Sequence, residues 1–276
     1  MKKIDVRASV RSKYKGYIPE FVLKWMEKLV HQDELNEIMK LQDHVGGVEF
    51  AEKILEHLHI TTEIIGAERL PLPDQPSFFV SNHPLGGADG IILTYILGQH
   101  YHGNIKVLVN DLLMSVYQFG DVFIPVNKYG SQARDLAHQI NDALESDKQI
   151  ISFPAGLCSR KGDDGEIRDL KWNPSFIRMA KKSGRTIVPL FFEGDNSNHF
   201  HKWARLRKKL GIKFNYELVL LPDEVFRAKG KHFRIFVGEP IPIQQLPTGR
   251  EIHKKANDLR TSLYHFPKMY GTNGSL

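Results

Sequence analysis

Between residues 19 and 59 apolar side chains recur at helical spacing. The run Phe21-Val22-Leu23-Lys24-Trp25-Met26-Glu27-Lys28-Leu29-Val30 predicts an amphipathic helix, and Gly46-Gly47 separates it from a second helical stretch, Val48 to Leu58. Past residue 60 the pattern changes to short apolar runs. Strands are predicted at Thr61–Ile65, Ser77–Ser81, Lys106–Val109, Val122–Pro125, Gln149–Phe153 and Thr186–Phe192, with helices between them at Gly90–Leu97, Ser131–Leu144 and Pro174–Lys182. Strands alternating with helices predict βαβ crossovers. Glu217–Leu221 and His232–Val237 read as later strands, Glu251–Tyr264 as a closing helix and Gly271–Leu276 as a loose tail. The expected fold is α/β, a mostly parallel central sheet flanked by helices. A helical N-terminal segment, residues 1–60, packs on an α/β domain, residues 61–276, to give one structural domain.

Composition narrows the class without choosing a function. The 276 residues, 41% hydrophobic and 25% charged, can bury a substantial core. A formal net charge of +6 suits an anionic partner such as nucleic acid, a phosphorylated cofactor or an acidic membrane surface. The single cysteine, Cys158, excludes an internal disulfide framework and points to a reducing compartment. The stretch MKKIDVRASVRSKYKGYIPEF is basic but lacks the apolar core of a signal peptide. No uncharged apolar run approaches the roughly 20 residues of a membrane span. The expected location is cytoplasmic, with any work on lipid done peripherally on the inner face of the cytoplasmic membrane.

Candidate chemistry collects after the predicted strands, whose carboxyl ends gather at one rim of a parallel sheet. Ser81-Asn82-His83-Pro84-Leu85-Gly86-Gly87-Ala88-Asp89-Gly90 joins one strand to the next helix. Pro84 restricts His83 to an extended backbone, Gly86 and Gly87 permit positive φ and close approach, and the following helix start favours an anion. Each residue also has a structural reading: Asp89 as an N-cap, the glycines as a turn, His83 as a strand-end side chain. Further strand ends carry Gly120-Asp121-Val122-Phe123-Ile124-Pro125-Val126-Asn127-Lys128, then Phe153-Pro154-Ala155-Gly156-Leu157-Cys158-Ser159-Arg160-Lys161, then Ile187-Val188-Pro189-Leu190. A histidine base, glycine turns and cations at one rim suit proton abstraction beside an anionic substrate.

In this order the four segments resemble the four blocks of the glycerolipid acyltransferase superfamily, which includes glycerol-3-phosphate and lysophosphatidic acid acyltransferases. Asn82-His83 and Asp89 are similar to the first block, N-H-x-x-x-x-D; Gly120 to Ile124 to the second, G-x-x-F-I-x-R; Phe153 to Ser159 to the third, F-P-E-G-T-R-S; and Ile187 to Leu190 to the proline-containing fourth. The resemblance covers about residues 60 to 195. It implies that His83 is the general base on an acceptor hydroxyl that attacks the thioester of acyl-CoA or an acyl carrier protein, with Asp89 orienting the imidazole. N–H donors at the glycine turns would stabilise the oxyanion. It also implies substrate-binding roles for Asn82, Gly86, Gly87, Asn127, Lys128, Phe153, Pro154, Gly156, Ser159, Arg160 and Lys161. No metal and no cofactor beyond the donor substrate is implied.

Departures from the family pattern shape the acceptor. Five residues separate His83 from Asp89 where the pattern has four, so the loop must bulge at Gly86-Gly87. Ala155 stands at the glutamate of the third block, Cys158 at its arginine with Arg160 nearby, and Val126 at the arginine of the second with Lys128 nearby. These changes argue against glycerol 3-phosphate. They resemble a bacterial, hemolysin-like branch that includes O-acyltransferases completing ornithine or glycine lipids. The expected acceptor is a lipid bearing a hydroxyl, a lysophospholipid or an N-acyl amino-acid lipid.

His199 to Lys213, HFHKWARLRKKLGIK, predicts an amphipathic helix over 199–213 with Trp203, Leu206 and Leu210 on one face and Lys202, Arg205, Lys208 and Lys209 over the rest. Such a helix suits an anionic membrane surface or a solvated face packed on the sheet. The Phe21–Val30 helix is a second candidate for that contact, or a core helix. Cys158 raises a nucleophile role with an acyl-enzyme intermediate. The pairs His57/His59, His100/His102 and His199/His201 lack the carboxylate or cysteine cluster of a metal site. No nucleic-acid recognition motif is present. The alternatives to acyl transfer are a thioesterase or hydrolase using the same histidine, and a non-catalytic protein that binds anionic lipid.

Overall fold

The computed structural model describes residues 4–13, 16–41, 44–110, 116–126, 132–213 and 215–271. Four helices, α1 (Val6–Lys13), α2 (Glu20–Leu29), α3 (Gln32–Leu41) and α4 (Gly47–His57), precede the first strand, β1 (Thr61–Ile65). There follow β2 (Ser77–Ser81), α5 (Ala88–His100), β3 (Ile105–Val109), β4 (Phe123–Pro125), α6 (Gln132–Glu145) and β5 (Gln149–Ser152). A short ribbon, β6 (Arg160–Lys161) and β7 (Ile167–Arg168), leads to α7 (Ser175–Ser183), β8 (Thr186–Phe192) and α8 (Asn198–Lys209). A 3-10 turn (Tyr216–Leu220), α9 (Leu221–Arg227), β9 (His232–Val237), α10 (Glu251–Leu263) and α11 (Phe266–Tyr270) complete the chain.

The main sheet has seven strands in the order β1-β9-β8-β2-β5-β3-β4. β8, β2, β5, β3 and β4 run parallel, whereas β9 pairs antiparallel with β8, and β1 runs parallel to β9. Every residue of central β2 is buried, as expected for a parallel strand covered on both faces. Its side chains divide the core by their two-residue period. Phe79 points with Val107 and Val188 toward α4 and α5. Phe78 and Val80 point with Ile150 and Ile187 toward α6, α7 and α10. α4 is integral to this core through Phe50, Ala51, Ile54 and Leu55, and it reaches α5 where Gly98 faces Val48. A Cβ on Gly98 would stand 2.3 Å from Val48 Cγ2.

The alternating strands and helices emerge as expected, with two corrections. Glu217–Leu221 is not a strand: Tyr216–Leu220 forms a 3-10 turn that runs into α9. Pro222 in the first turn of α9, followed by Asp223 and Glu224 at its positive end, starts a helix there instead. The basic helix ends at Lys209, with Leu210 as its C-cap, rather than at residue 213. Asn127 and Lys128, and the tail from residue 272, lie outside the described residues. No described helix is long and apolar enough to cross a membrane.

Candidate active site

β2 lies between β8 and β5, so the loops leaving these three strands meet at one rim. The side chain of Asn82, the first residue past β2, spans to the end of β8. Its Nδ2 donates to Phe192 O (2.9 Å), and its Oδ1 accepts from Phe192 N (2.7 Å). Ser159 N, from the loop after β5, donates to His83 O (2.7 Å). The Asn82 side chain and the His83 carbonyl thereby tie this loop to the end of β8 and to the loop after β5.

Gly86 adopts φ of +79°, and the loop turns back so that Asp89, in the first turn of α5, meets the imidazole. Asp89 Oδ2 is 3.1 Å from His83 Nδ1 and accepts from Leu85 N (2.9 Å) and Gly86 N (3.2 Å); Oδ1 accepts from Gly90 N (2.8 Å). The carboxylate is fully buried. An aspartate held by three N–H donors serves as acceptor for the Nδ1–H tautomer of His83, which leaves Nε2 for chemistry. The Phe153 ring covers the imidazole at 4.3 Å between centroids. Burial lowers the imidazole pKa, but the charges of Asp89 and Asp169 and the Asp89 hydrogen bond outweigh burial and a contrary push from Arg160, holding it above its ordinary value. The protonated imidazole is thus stabilised at this position.

Residues 6–270 match the family model described as Acyltransferase. The chain is 46% identical over 239 residues to the lyso-glycine lipid O-acyltransferase of Phocaeicola vulgatus, covering 87% of this chain and 85% of that one. It is 45% identical over 245 residues to the protein of the same description from Bacteroides thetaiotaomicron, covering 87% of this chain and 89% of that one. The chain belongs to the acyltransferase family. Among solved structures, the 1-acyl-sn-glycerophosphate acyltransferase of Thermotoga maritima aligns with 98% of this chain and 93% of its own at 15% identity, with a TM-score of 0.48. The match and the two relatives place the acyltransferase in the glycerolipid superfamily that its four blocks resemble.

The acyltransferase uses several expected substrate contacts internally. The glycine-turn N–H groups are spent on the loop itself: Gly86 N on Asp89, Gly87 N on Leu85 O (3.0 Å) and Gly156 N on Phe153 O (3.0 Å). The expectation that these three donors stabilise an oxyanion is therefore corrected: the Asp89 carboxylate takes Gly86 N, and tight turns take Gly87 N and Gly156 N. The Pro154 carbonyl accepts from Asn173 N (2.9 Å), and the Asn82 amide is consumed by Phe192. The Arg160 guanidinium is occupied by other protein groups. Its Nη1 donates to Cys158 O (2.6 Å), its Nη2 meets the buried Glu217 Oε1 (2.9 Å), and Arg207 Nε of α8 lies 3.0 Å from the other Glu217 oxygen. Lys161 stays exposed on the ribbon.

Cys158 is 1% exposed, its Sγ accepts from Arg160 Nη1 (2.9 Å), and burial pushes the thiol up to about 11. A buried thiol protonated at neutral pH does not serve as a nucleophile. Sequence reasoning missed Asp169, Trp172, Asn196 and Glu217, all set against these loops. Asp169 Oδ1 accepts from His83 N (3.0 Å) and Ser159 Oγ (2.6 Å), and Asn196 Nδ2 donates to Pro84 O (3.2 Å). The Asp164-Gly165 pair was a readable sign of the β6–β7 ribbon that carries Asp169 back. Nothing local marks Asp169 or Glu217 themselves.

Proposed function

We propose that this lipid acyltransferase moves a fatty acyl group from a thioester, carried by CoA or an acyl carrier protein, to the hydroxyl of a lyso-glycine lipid. The observation that carries the reading is the His83 imidazole locked at Nδ1 by buried Asp89. His83 Nε2 takes the hydroxyl proton as the oxygen attacks the thioester carbonyl. The tetrahedral oxyanion then collapses, the C–S bond breaks, and the departing thiolate receives the proton from the imidazolium. One ester forms and one thiol is released. The thioester is already activated, and the steps balance without a metal or redox cofactor.

The acceptor class is carried over from the two relatives of that description. An apolar cavity of about 60 Å³ lies beside the His83 loop, an entry point of the right polarity for a lipid chain. Its walls include Leu35 and Met39 of α3, Phe50 and Ile54 of α4, Ile91 of α5 and Val225 of α9. Ile91 follows Asp89 by two residues, and a Cβ on Gly87 would stand 2.9 Å from Val225 Cγ2, so the cavity adjoins the His83 loop. Lys161 supplies an exposed positive charge at the same rim for an anionic head group.

The reading places the protein at the inner face of the cytoplasmic membrane. α8 packs through Phe200, His201 and Ala204 while Trp203 (40%) and Leu206 (43%) stay exposed among lysines and arginines. On α2, Leu23 is buried, but Phe21 (74%) and Trp25 (58%) are exposed. Basic and aromatic side chains exposed on such helices match an anionic lipid surface.

The experiment is the lipid profile of cells lacking the protein, complemented with the wild type or with His83→Ala. Wild type restores O-acylated glycine lipid, whereas His83→Ala leaves its lyso form to accumulate. Full restoration by a stably expressed His83→Ala protein would refute the reading.

A further inference from the structure

We propose that Asp169 is a second positioning residue of the site, a buried anion that fixes the His83 main chain and stabilises the imidazolium when it forms. The inference rests on His83 being the base. Asp169 lies just past β7, outside the four blocks that resemble the family, and is 3% exposed. Its Oδ1 accepts from His83 N (3.0 Å) and Ser159 Oγ (2.6 Å), and its Oδ2 accepts from Trp172 Nε1 (2.7 Å). Its backbone is fixed as well: the N–H donates to Tyr264 Oη (2.7 Å), and the carbonyl accepts from Arg260 Nη1 (2.7 Å). One residue thus ties the first-block loop to the third-block loop and both to α10.

Charge separates this arrangement from a neutral bracket. Every donor on the carboxylate is uncharged, Arg260 bonds the carbonyl instead, and among the described residues no lysine or arginine pairs with the carboxylate. A buried carboxylate without a cation is costly unless a positive charge appears beside it. The charged and titratable groups around His83 are Asp89 on α5, Asp169 past β7 and Arg160 on β6; those around Asp169 are His83, Arg260 on α10 and Tyr264 at the end of that helix. Of these, only His83 becomes a cation during the reaction. Burial outweighs the Ser159, His83 main-chain and Trp172 bonds and holds the Asp169 carboxyl above its ordinary value. The three donors and the positive charge that forms on His83 act the other way, toward the ionised form. The proton that His83 Nε2 takes from the acceptor hydroxyl therefore creates a cation between two carboxylates, Asp89 at the ring and Asp169 behind the main chain.

The test compares wild type with Asp169→Asn, which removes the charge at nearly constant shape. The titration of the His83 ring is followed by NMR in the full chain, and the pH profile of kcat/KM is recorded beside it. In folded Asp169→Asn the His83 pKa falls, the acid limb of the profile moves to lower pH with it, and kcat drops roughly tenfold or more, the scale on which partners that orient a reacting imidazole act. An unmoved His83 titration in a folded variant overturns the proposal and leaves Asp169 a structural bracket. If Asp169→Asn does not fold, the 13Cγ shift of Asp169 is followed in wild type. A step at the pKa of His83 that is absent in His83→Ala supports the coupling, and no step overturns it. The titrations need no acyl acceptor, so loss of the lyso-glycine lipid reading and loss of the Asp169 coupling are seen separately.

Discussion

The step from His83 to Asp89 closes through Gly86, whose φ of +79° lies where an L side chain is strained by roughly 1–2 kcal/mol. That turn absorbs the extra residue of the loop and presents Leu85 N and Gly86 N to the same Asp89 oxygen that meets the imidazole. Because the two side chains are six residues apart, their meeting was legible in the motif. Asp169 was not: it reaches His83 across 86 residues, and contact at that separation leaves no periodic trace. The electrostatics give a signed expectation. A general base works in its neutral form, and His83 is held above the ordinary imidazole value of 6.5, so the acid limb of kcat/KM should fall above that value. In Asp89→Asn, burial is opposed only by the more distant charge of Asp169, and the Nδ1–H tautomer loses its carboxylate acceptor. The limb should move down in pH and kcat should fall on the order of 10³–10⁴-fold. A pH–rate profile of both proteins measures this, and an unchanged limb would remove Asp89 from the role of orienter.

α8 carries the same lesson for elements. Its apolar and basic faces were legible because helical spacing puts Trp203 and Leu206 together, and both are exposed as a surface-seeking helix requires. Its anchor was hidden. Glu217 sits in Tyr216-Glu217-Leu218-Val219-Leu220, a run too short for periodicity to separate strand from helix. The structure makes it a 3-10 turn whose buried carboxylate stands between Arg160, just past the third block, and Arg207 of α8. Neutralising the exposed Lys202, Arg205 and Lys209 should weaken co-sedimentation with anionic vesicles on the order of fivefold per charge and flatten its salt dependence. Unaltered co-sedimentation would remove α8 from the proposed membrane contact.

Across the whole molecule, the alternation of strands and helices declared a parallel sheet, and a parallel sheet declared that the loops after β2, β5 and β8 share a rim. What the pattern left open is the reversal at one edge, where β9 and β1 run against the other five strands. A strand's own residues do not state its direction. The reversal sends the carboxyl ends of β9 and β1 to the opposite rim, so the site is built from the parallel strands alone. The apolar cavity beside the His83 loop and the exposed basic, aromatic helices are the features that support the proposal of a protein taking an acyl chain from a carrier and meeting its acceptor at a membrane.

Reconstitution addresses that description directly. Purified full-length protein is mixed with a lyso-glycine lipid and a long-chain acyl thioester, and both products are followed by mass spectrometry and thiol release. The lipid should gain one acyl chain for each thiol freed, and folded His83→Ala should be slower by roughly 10²–10⁴-fold. Free fatty acid with no acylated lipid, or undiminished transfer by His83→Ala, would contradict the account.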